Sequence, residues 1–325
     1  MKAVYISSFG GPEKLEVRNV PDPPRPAPGH VVVSVRAAGL NRADLLQRRG
    51  FYPPPEGYSL NIPGLEFAGE VFKSADARFQ HGDRVFGITA GDAQAELLLI
   101  DARLLLKIPE NLNFTEAAAI SEAFITAHDA VFTQGRLRKG ETLLVHAVGS
   151  GVGLAALQLA HAAGAKVFGT SRTADKLERA HKFGLDEGIL TAGKGRFADR
   201  FKASEPRGAD VVLDLVGGAY FEQNIECLAV KGRLLLVGLV SGRQAEFNLG
   251  IALSRRLSII GTVLRSRSLD EKALATELFA KEVLPLLENK TVVPVIDRVF
   301  NVEKVRAAHE YLGSDESFGK VVLEF

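Results

Sequence analysis

The sequence predicts an α/β protein in which a doubly wound parallel sheet is inserted into a β-rich domain. Three observations carry this expectation. Between about residues 123 and 265, apolar strand-like runs alternate with helical stretches, the pattern of a buried parallel sheet. A glycine-rich turn follows the first of those strands directly. The first third of the chain lacks that alternation and consists of short strand-like runs divided by Gly and Pro, as a compact β domain does.

Taken in order, the N-terminus Met1-Lys2-Ala3-Val4-Tyr5-Ile6 reads as a first strand, with no extended apolar region of a signal peptide. Five prolines between Pro21 and Pro28 predict an extended connection. Val31–Val35, Val85–Ile88 and Leu97–Ile100 are strands, and a helix begins within Asn111–Ala119 with Thr115 as its N-cap. Beyond residue 122, strands are expected at 142–147, 166–170, 187–190, 210–216, 233–238 and 258–263, and helices at 151–163, 173–182 and 218–229. Six such strands suffice for a complete Rossmann fold. A long amphipathic helix at 269–288, a strand near 292–300, a helix near 302–311 and a last strand Val321–Leu323 have no place in that sheet. They are expected to return to the first domain, so the boundaries fall at 1–122, 123–265 and 266–325.

Composition narrows the function. Hydrophobic residues make up 46% and charged residues 24% of 325 residues, with a formal net charge of +1. Neither nucleic acid nor an acidic membrane surface is called for as a partner. No apolar run approaches the roughly 20 residues that span a bilayer, and the single cysteine, Cys227, excludes an intrachain disulfide and a thiolate metal cluster. A cytoplasmic location is the expectation.

The segment Leu143 to Leu154 is the most informative. An apolar strand runs into Ala147, Gly149, Ser150, Gly151, Val152 and Gly153, and a helix follows. This is a variant of the Gly-x-Gly-x-x-Gly pattern. Missing side chains let the backbone turn sharply and approach a pyrophosphate, and the amides and dipole of the helix start favour an anion. The next strand ends in Ser171-Arg172-Thr173, with Lys176 one turn on. NAD-specific sites carry a carboxylate at that strand end; here Ser171, Arg172 and Lys176 suit a 2′-phosphate, which points to NADPH. The strand-end segments Gly238-Leu239-Val240 and Leu264-Arg265-Ser266 are expected to contact the nicotinamide half. His146 and Cys227 read as structural residues. Arg255, Arg256, Arg265 and Arg267 read as solvated or cofactor-facing cations.

Several motifs together resemble a known family: Gly39-Leu40-Asn41-Arg42-Ala43-Asp44, Gln47-Arg48-Arg49-Gly50, Tyr52-Pro53-Pro54-Pro55, Pro63-Gly64-Leu65-Glu66, Gly82-Asp83-Arg84-Val85, the glycine turn and Leu264-Arg265-Ser266-Arg267. The chain resembles, over nearly its whole length, the zinc-independent quinone oxidoreductases of the medium-chain dehydrogenase/reductase superfamily, near the p53-inducible group. The resemblance implies a GroES-like domain flanking the Rossmann domain, an active site in the cleft, a flat electron-poor substrate such as a quinone, and a homodimer built through the strand at 258–263. It brings Asn41, Tyr52 and Thr126 to the nicotinamide end, Asn41 orienting an amide or a substrate oxygen and Tyr52 stacking or donating a hydrogen bond. Zinc relatives carry a Cys where this chain has Asn41 and a His where it has Leu65, so no metal is expected. A quinone can take its proton from water after hydride transfer, so no strong protein acid is obligatory. Reduction of an enone or enal C=C bond, and a non-catalytic NADPH-binding protein, are the alternatives.

Overall fold

The computed structural model describes residues 1–192 and 196–325. The chain divides into two compact units, Met1–Ile125 with Leu264–Phe325, and Thr126–Val263.

The first unit is a β structure. β1 (Lys2–Ile6) and β2 (Leu15–Asn19) form an antiparallel pair. The proline-rich segment after them is neither helix nor strand, because proline fixes φ and removes the donor a ladder needs. β3 (His30–Leu40) is the long central strand and pairs antiparallel with β4 (Glu66–Ser74). α1 (Arg42–Arg48) follows β3 directly. β5 (Arg84–Ile88), β6 (Leu97–Asp101) and β7 (Leu105–Lys107) complete this part of the sheet, with β6 on the first half of β3. α2 (Phe114–Ala118) is capped by Asn113, not Thr115: Asn113 Oδ1 accepts from Glu116 N at 2.8 Å, and Glu116 Oε2 accepts from Asn113 N at 2.8 Å. This reciprocal pair satisfies two orphan amides at once and starts the helix earlier than expected. Thr115 instead donates to Glu324.

α3 (Ser121–His128) leads into the second unit through a π-helical turn at Asp129–Gln134. Alternating elements follow: β8 (Thr142–Val145), α4 (Gly151–Ala162), β9 (Lys166–Ser171), α5 (Ala174–His181), β10 (Glu187–Leu190), α6 (Phe197–Ser204), β11 (Ala209–Asp214), α7 (Gly218–Cys227), β12 (Leu228–Leu236), α8 (Leu249–Arg255) and β13 (Ser258–Gly261). All six strands are parallel, in the order β10-β9-β8-β11-β12-β13. The order reverses between β8 and β11, so the turns after those two strands sit at the switch point where such sheets bind ligands. Leu143, Leu144 and Val145 are wholly buried, as a strand covered on both faces requires. A core of Leu144, Phe168, Ile189, Phe201, Val212, Ile225 and Leu234 packs one face of the sheet. β12 starts at Leu228, ahead of the expected 233, and α6 and α8 had no sequence expectation.

The chain then returns to the first unit. The expected single helix at 269–288 is two, α9 (Leu269–Glu282) and α10 (Leu284–Glu288), broken at Val283. Pro285 is the cause, since it has no N–H to continue the first helix and is tolerated in the first turn of the second. β14 (Ile296–Asn301), α11 (Val305–Gly313) and β15 (Lys320–Glu324) end the chain. β15 pairs antiparallel with the second half of β3, from Val321↔Leu40 to Glu324↔Ala37, and Val321, Leu323, Val305 and Leu312 join Val4, Ile6, Leu40 and Leu45 in one core. No helix among the described residues is long and apolar enough to cross a membrane.

Candidate active site

In the second unit the turn after β8 is built for close backbone approach. Ala147 adopts φ +48°, a left-handed value that lets the chain reverse, and its carbonyl accepts from Ser150 N at 2.9 Å. Ser150 caps α4, its hydroxyl oxygen accepting from Gly153 N at 3.1 Å. A Cβ on Gly153 would stand 2.6 Å from the Ala147 carbonyl oxygen and 2.9 Å from Val148 Cα, so only glycine fits where the helix packs on the turn. Because Ser150 engages the Gly153 amide, the N–H groups of Gly151 and Val152, with no carbonyl four residues back, are the ones aimed at an anion. Gly149 completes the turn between the two. This is a cradle that fits a diphosphate.

Behind the turn lies a buried network. His146 Nε2 is 2.5 Å from Asn224 Oδ1 and its Nδ1 is 2.9 Å from Thr170 Oγ1. Asn224 Nδ2 donates to Asp214 Oδ2 at 2.9 Å, and Asp214 Oδ1 also accepts from the amides of Val216 and Gly217 at 2.7 and 2.9 Å. Since the Asn224 amide nitrogen faces Asp214, its oxygen must accept from His146, which assigns the imidazole proton to Nε2 and leaves Nδ1 to accept from Thr170. Burial pulls the imidazole down to about 4, so it is a neutral strut tying β8, β9, β11 and α7. Burial also pushes Asp214 up to about 6, against the hydrogen bonds from Gly217, Val216 and Asn224. Cys227, the last residue of α7, is buried, and burial pushes its thiol up to about 12, leaving an inert thiol.

The Ser171–Lys176 and Gly238–Val240 segments lie at strand ends along the same edge of the sheet. Ser171 ends β9, and its hydroxyl oxygen accepts from Thr173 N at 3.2 Å. Arg172 is exposed and Lys176 half-buried in the first turn of α5, and no carboxylate stands at the strand end. Asp175 points to Arg179 at 3.6 Å. Gly238, Leu239 and Val240 follow β12, with Gly238 N donating to the Asp214 carbonyl at 3.1 Å and the two apolar side chains exposed. Arg255 donates to the carbonyls of Ile225, Glu226 and Leu228 at 3.1–3.4 Å, capping the negative end of α7.

In the first unit the structure gathers a second set around Glu66, which is 0% exposed. Lys320, 5% exposed, places Nζ 2.5 Å from Glu66 Oε1, 2.6 Å from Asn41 Oδ1 and 2.8 Å from the Leu40 carbonyl. All three ammonium protons are thereby used. Asn41 Nδ2 donates to Glu66 Oε1 at 3.0 Å, and the other carboxylate oxygen accepts from Glu122 N at 2.8 Å. A side chain on Gly39 would collide with the Glu66 carboxylate and the Ala118 carbonyl. Asp44 receives the amides of Asn41 at 2.7 Å and Gly64 at 3.0 Å; burial pushes it up to about 6, against Asn41, Arg265 and Lys320.

Arg265, grouped from the sequence with solvated or cofactor-facing cations, is 3% exposed. Its Nε donates to the Ala90 carbonyl at 2.7 Å, Nη1 to the Tyr52 carbonyl at 2.9 Å and Nη2 to Gln47 Oε1. Its guanidinium also lies 5.0 Å from the Tyr52 ring centroid, a cation–π distance. The guanidinium therefore holds the Tyr52 loop. Leu264 beside it is buried and Ser266 exposed. Thr126 is half-buried on α3. Thus Tyr52 and Arg265 meet in the first unit and Asn41 belongs to the Glu66–Lys320 set there, while the Gly149–Gly153, Ser171–Lys176 and Gly238–Val240 segments share the strand-end edge of the second.

Sequence reasoning missed Lys320, Glu122, Gln47 and Asp44. One signal existed: Lys320 opens the wholly apolar run Val321–Leu323, an unusual place for a lysine unless a buried carboxylate meets it. Among the described residues no group of three or more His, Cys, Asp or Glu is placed to hold a metal ion.

The family model described as alcohol dehydrogenase GroES-like domain matches residues 27–110, and that described as zinc-binding dehydrogenase matches 151–281. The human quinone oxidoreductase is 38% identical over 178 residues, 53% of this chain and 53% of that protein. The chain spans about half the length of the curated relatives it matches. A solved NAD-dependent alcohol dehydrogenase is 31% identical with a TM-score of 0.88, each chain covered completely. The Escherichia coli quinone oxidoreductase complexed with NADPH is 28% identical with a TM-score of 0.90, again over the whole of both chains. With the expected GroES-like unit and a Rossmann-like parallel sheet carrying the glycine turn, the chain belongs to the medium-chain dehydrogenase/reductase superfamily.

Proposed function

We propose that the protein is an NADPH-dependent oxidoreductase that reduces quinones, or closely related conjugated carbonyls, without zinc. The observation that carries the reading is the turn at the switch point: Gly151 and Val152 amides left for an anion, and a Gly153 position that admits no Cβ. Ala147, Gly149, Ser150, Gly151, Val152 and Gly153 would hold the diphosphate; Ser171, Arg172 and Lys176 would meet the 2′-phosphate. The similar Escherichia coli protein is complexed with NADPH. The bound dinucleotide supplies a hydride to the acceptor.

We assign Asn41 and Tyr52 of the first unit to the acceptor. Asn41 is fixed at both ends of its amide by Glu66 and Lys320, and Tyr52 is fixed by Arg265. Zinc-free chemistry is supported by the ion pair itself. Where zinc relatives would bring a thiolate and an imidazole, this chain brings Asn41 and Leu65, and the remaining carboxylate is neutralised by an ammonium. Screening NADPH oxidation against ortho-quinones, para-quinones and enones, with NADH as control and metal content measured on the same preparation, tests the reading. Quinone turnover with NADPH by metal-free protein is expected. Turnover that needs zinc, a preference for NADH, or binding without oxidation overturns it.

We also propose a homodimer through β13. It is an edge strand, and exposed Ile259 in it and Val263 just beyond it, with Leu249 and Leu253 of α8 at 74% and 82% exposure, leave an apolar face of a kind that marks an interface. Light scattering should give twice the chain mass for the wild type and the single mass for Ile259→Lys combined with Leu253→Lys.

A further inference from the structure

Just past β12 the second unit carries two bare apolar side chains on a tightly bonded backbone. Leu239 and Val240 are 48% and 63% exposed. Before them, Val237 N and Gly238 N donate to the Asp214 carbonyl at 2.9 and 3.1 Å; after them, Gly242 N closes the turn on the Leu239 carbonyl at 3.2 Å. Ser241 makes the remaining ties. Its N–H donates to the Val216 carbonyl at 2.8 Å and its hydroxyl donates to the same oxygen at 2.9 Å. The hydroxyl oxygen accepts from Ala219 N at 3.0 Å, and the Gly242 carbonyl accepts from Gly218 N at 3.0 Å. The first two amides of α7, which no carbonyl within the helix can satisfy, are closed by this loop. At α4 the corresponding amides of Gly151 and Val152 are left for an anion.

The turn that receives the loop is shaped for it. Gly217 has φ +93°, and a Cβ there would stand 2.8 Å from Leu239 Cα and 2.9 Å from the Gly242 carbonyl oxygen. A Cβ on Gly238 would stand 2.5 Å from the Leu215 carbonyl oxygen. The two segments therefore interlock backbone against backbone. The receiving turn is itself held from behind, by Asp214 Oδ1 accepting from the amides of Val216 and Gly217.

We propose that Ser241 is a positioning residue for the nicotinamide half of the cofactor, holding Leu239 and Val240 as a preformed apolar wall for that half. The inference rests on the cofactor reading given under Proposed function. The strand order gives the direction: β9 lies on one side of β8, and β11 and β12 lie on the other. A dinucleotide with its diphosphate at the turn after β8 and its 2′-phosphate at the end of β9 runs its other half towards the ends of β11 and β12. The Ser241 hydroxyl has its proton on Val216 and a lone pair on Ala219, so it acts through the two apolar side chains and not as a ligand itself. A wall ordered before the cofactor arrives loses less freedom on binding, which strengthens the hold without adding a contact.

Titrations with NADPH and with 2′-phosphoadenosine 5′-diphosphate, the half of the cofactor that lacks nicotinamide, test this. Ser241→Ala should weaken NADPH about 3- to 10-fold, the worth of the hydrogen bonds removed, and leave the affinity for the fragment unchanged. Ser241→Thr keeps the hydroxyl and should bind NADPH as the wild type does. Gly217→Ala displaces Leu239 from the opposite side and should show the same split between the two ligands, with circular dichroism checking the fold of each variant. Without any ligand, amide hydrogen exchange at 238–242 should be faster in Ser241→Ala than in the wild type. Equal losses for NADPH and the fragment would overturn the inference, because support of the sheet as a whole affects both. So would an unchanged NADPH affinity in Ser241→Ala and Gly217→Ala alike. If the wild type binds both ligands and these variants match it, only this inference falls; if the wild type binds neither, the cofactor reading falls with it.

Discussion

The two units prepare polar groups for chemistry in opposite ways. In the second, the working surface is backbone: a left-handed Ala147, a serine cap and a glycine too crowded for a Cβ present bare amides. Side chains enter only behind it, as the neutral His146–Asn224–Asp214 strut. In the first, the working surface is side chains drawn from β4, α1, α3, β15 and the segment at Arg265, held by an ion pair buried almost completely. A backbone site depends on the positions that keep its amides bare, here above all Gly153. A side-chain site depends on each charge keeping its partner, because an unpaired buried charge is expensive.

That contrast can be broken in order of expected effect. Lys320→Met should be the most damaging, leaving Glu66 buried without its cation; urea unfolding should show a loss of about 3–5 kcal/mol, largely recovered when Glu66→Gln is added. A single variant as stable as the wild type would mean that the first unit does not rest on its ion pair. Gly153→Val should weaken NADPH binding by about 100-fold or more, an estimate of about 2.7 kcal/mol, while circular dichroism stays native; unchanged affinity by fluorescence titration would remove the backbone site. Combined Arg172→Ala and Lys176→Ala should weaken NADPH by roughly 10- to 100-fold, from lost charge-assisted hydrogen bonds, with NADH nearly unaffected. Equal losses for both cofactors would refute the 2′-phosphate assignment.

Buried titratable groups add a pH dependence in both units. His146 in the second unit, and His309 in the first, are held down to about 4 and about 3, by burial in both and by Arg48 beside His309. Folded pKa values below the unfolded value near 6.5 mean that only the unfolded chain gains protons as pH first falls through 6.5. Stability is full above 6.5 and declines toward 4. Asp44 and Asp92 in the first unit, pushed up to about 6 mainly by burial, carry the opposite sign: their contribution is favourable below the ordinary carboxylate range and is lost as pH rises through about 6. His146→Gln should therefore flatten the acid limb by up to about 3 kcal/mol between pH 6.5 and 4, measured by denaturant midpoints. A limb left unchanged would mean His146 is accessible to protonation in the folded state.

What the sequence determined alone is local and periodic. Strand-helix alternation, the glycine spacing at 149–153 and the missing carboxylate after β9 each depend on neighbours within a few residues, so they are legible before folding. The parallel order of β8 to β13 follows from that alternation, because crossover helices force it. The cap at Asn113 and the break at Val283 were equally local, and hinged on a capping box and on Pro285. Tertiary structure alone decided the first unit's polar set. Glu66 meets Lys320 across 254 residues of sequence, counted as 320 less 66, and Arg265 meets Tyr52 across 213. Charge and hydrogen bonding act through space, and burial sets their strength; a sequence records neither until the chain has brought those side chains together.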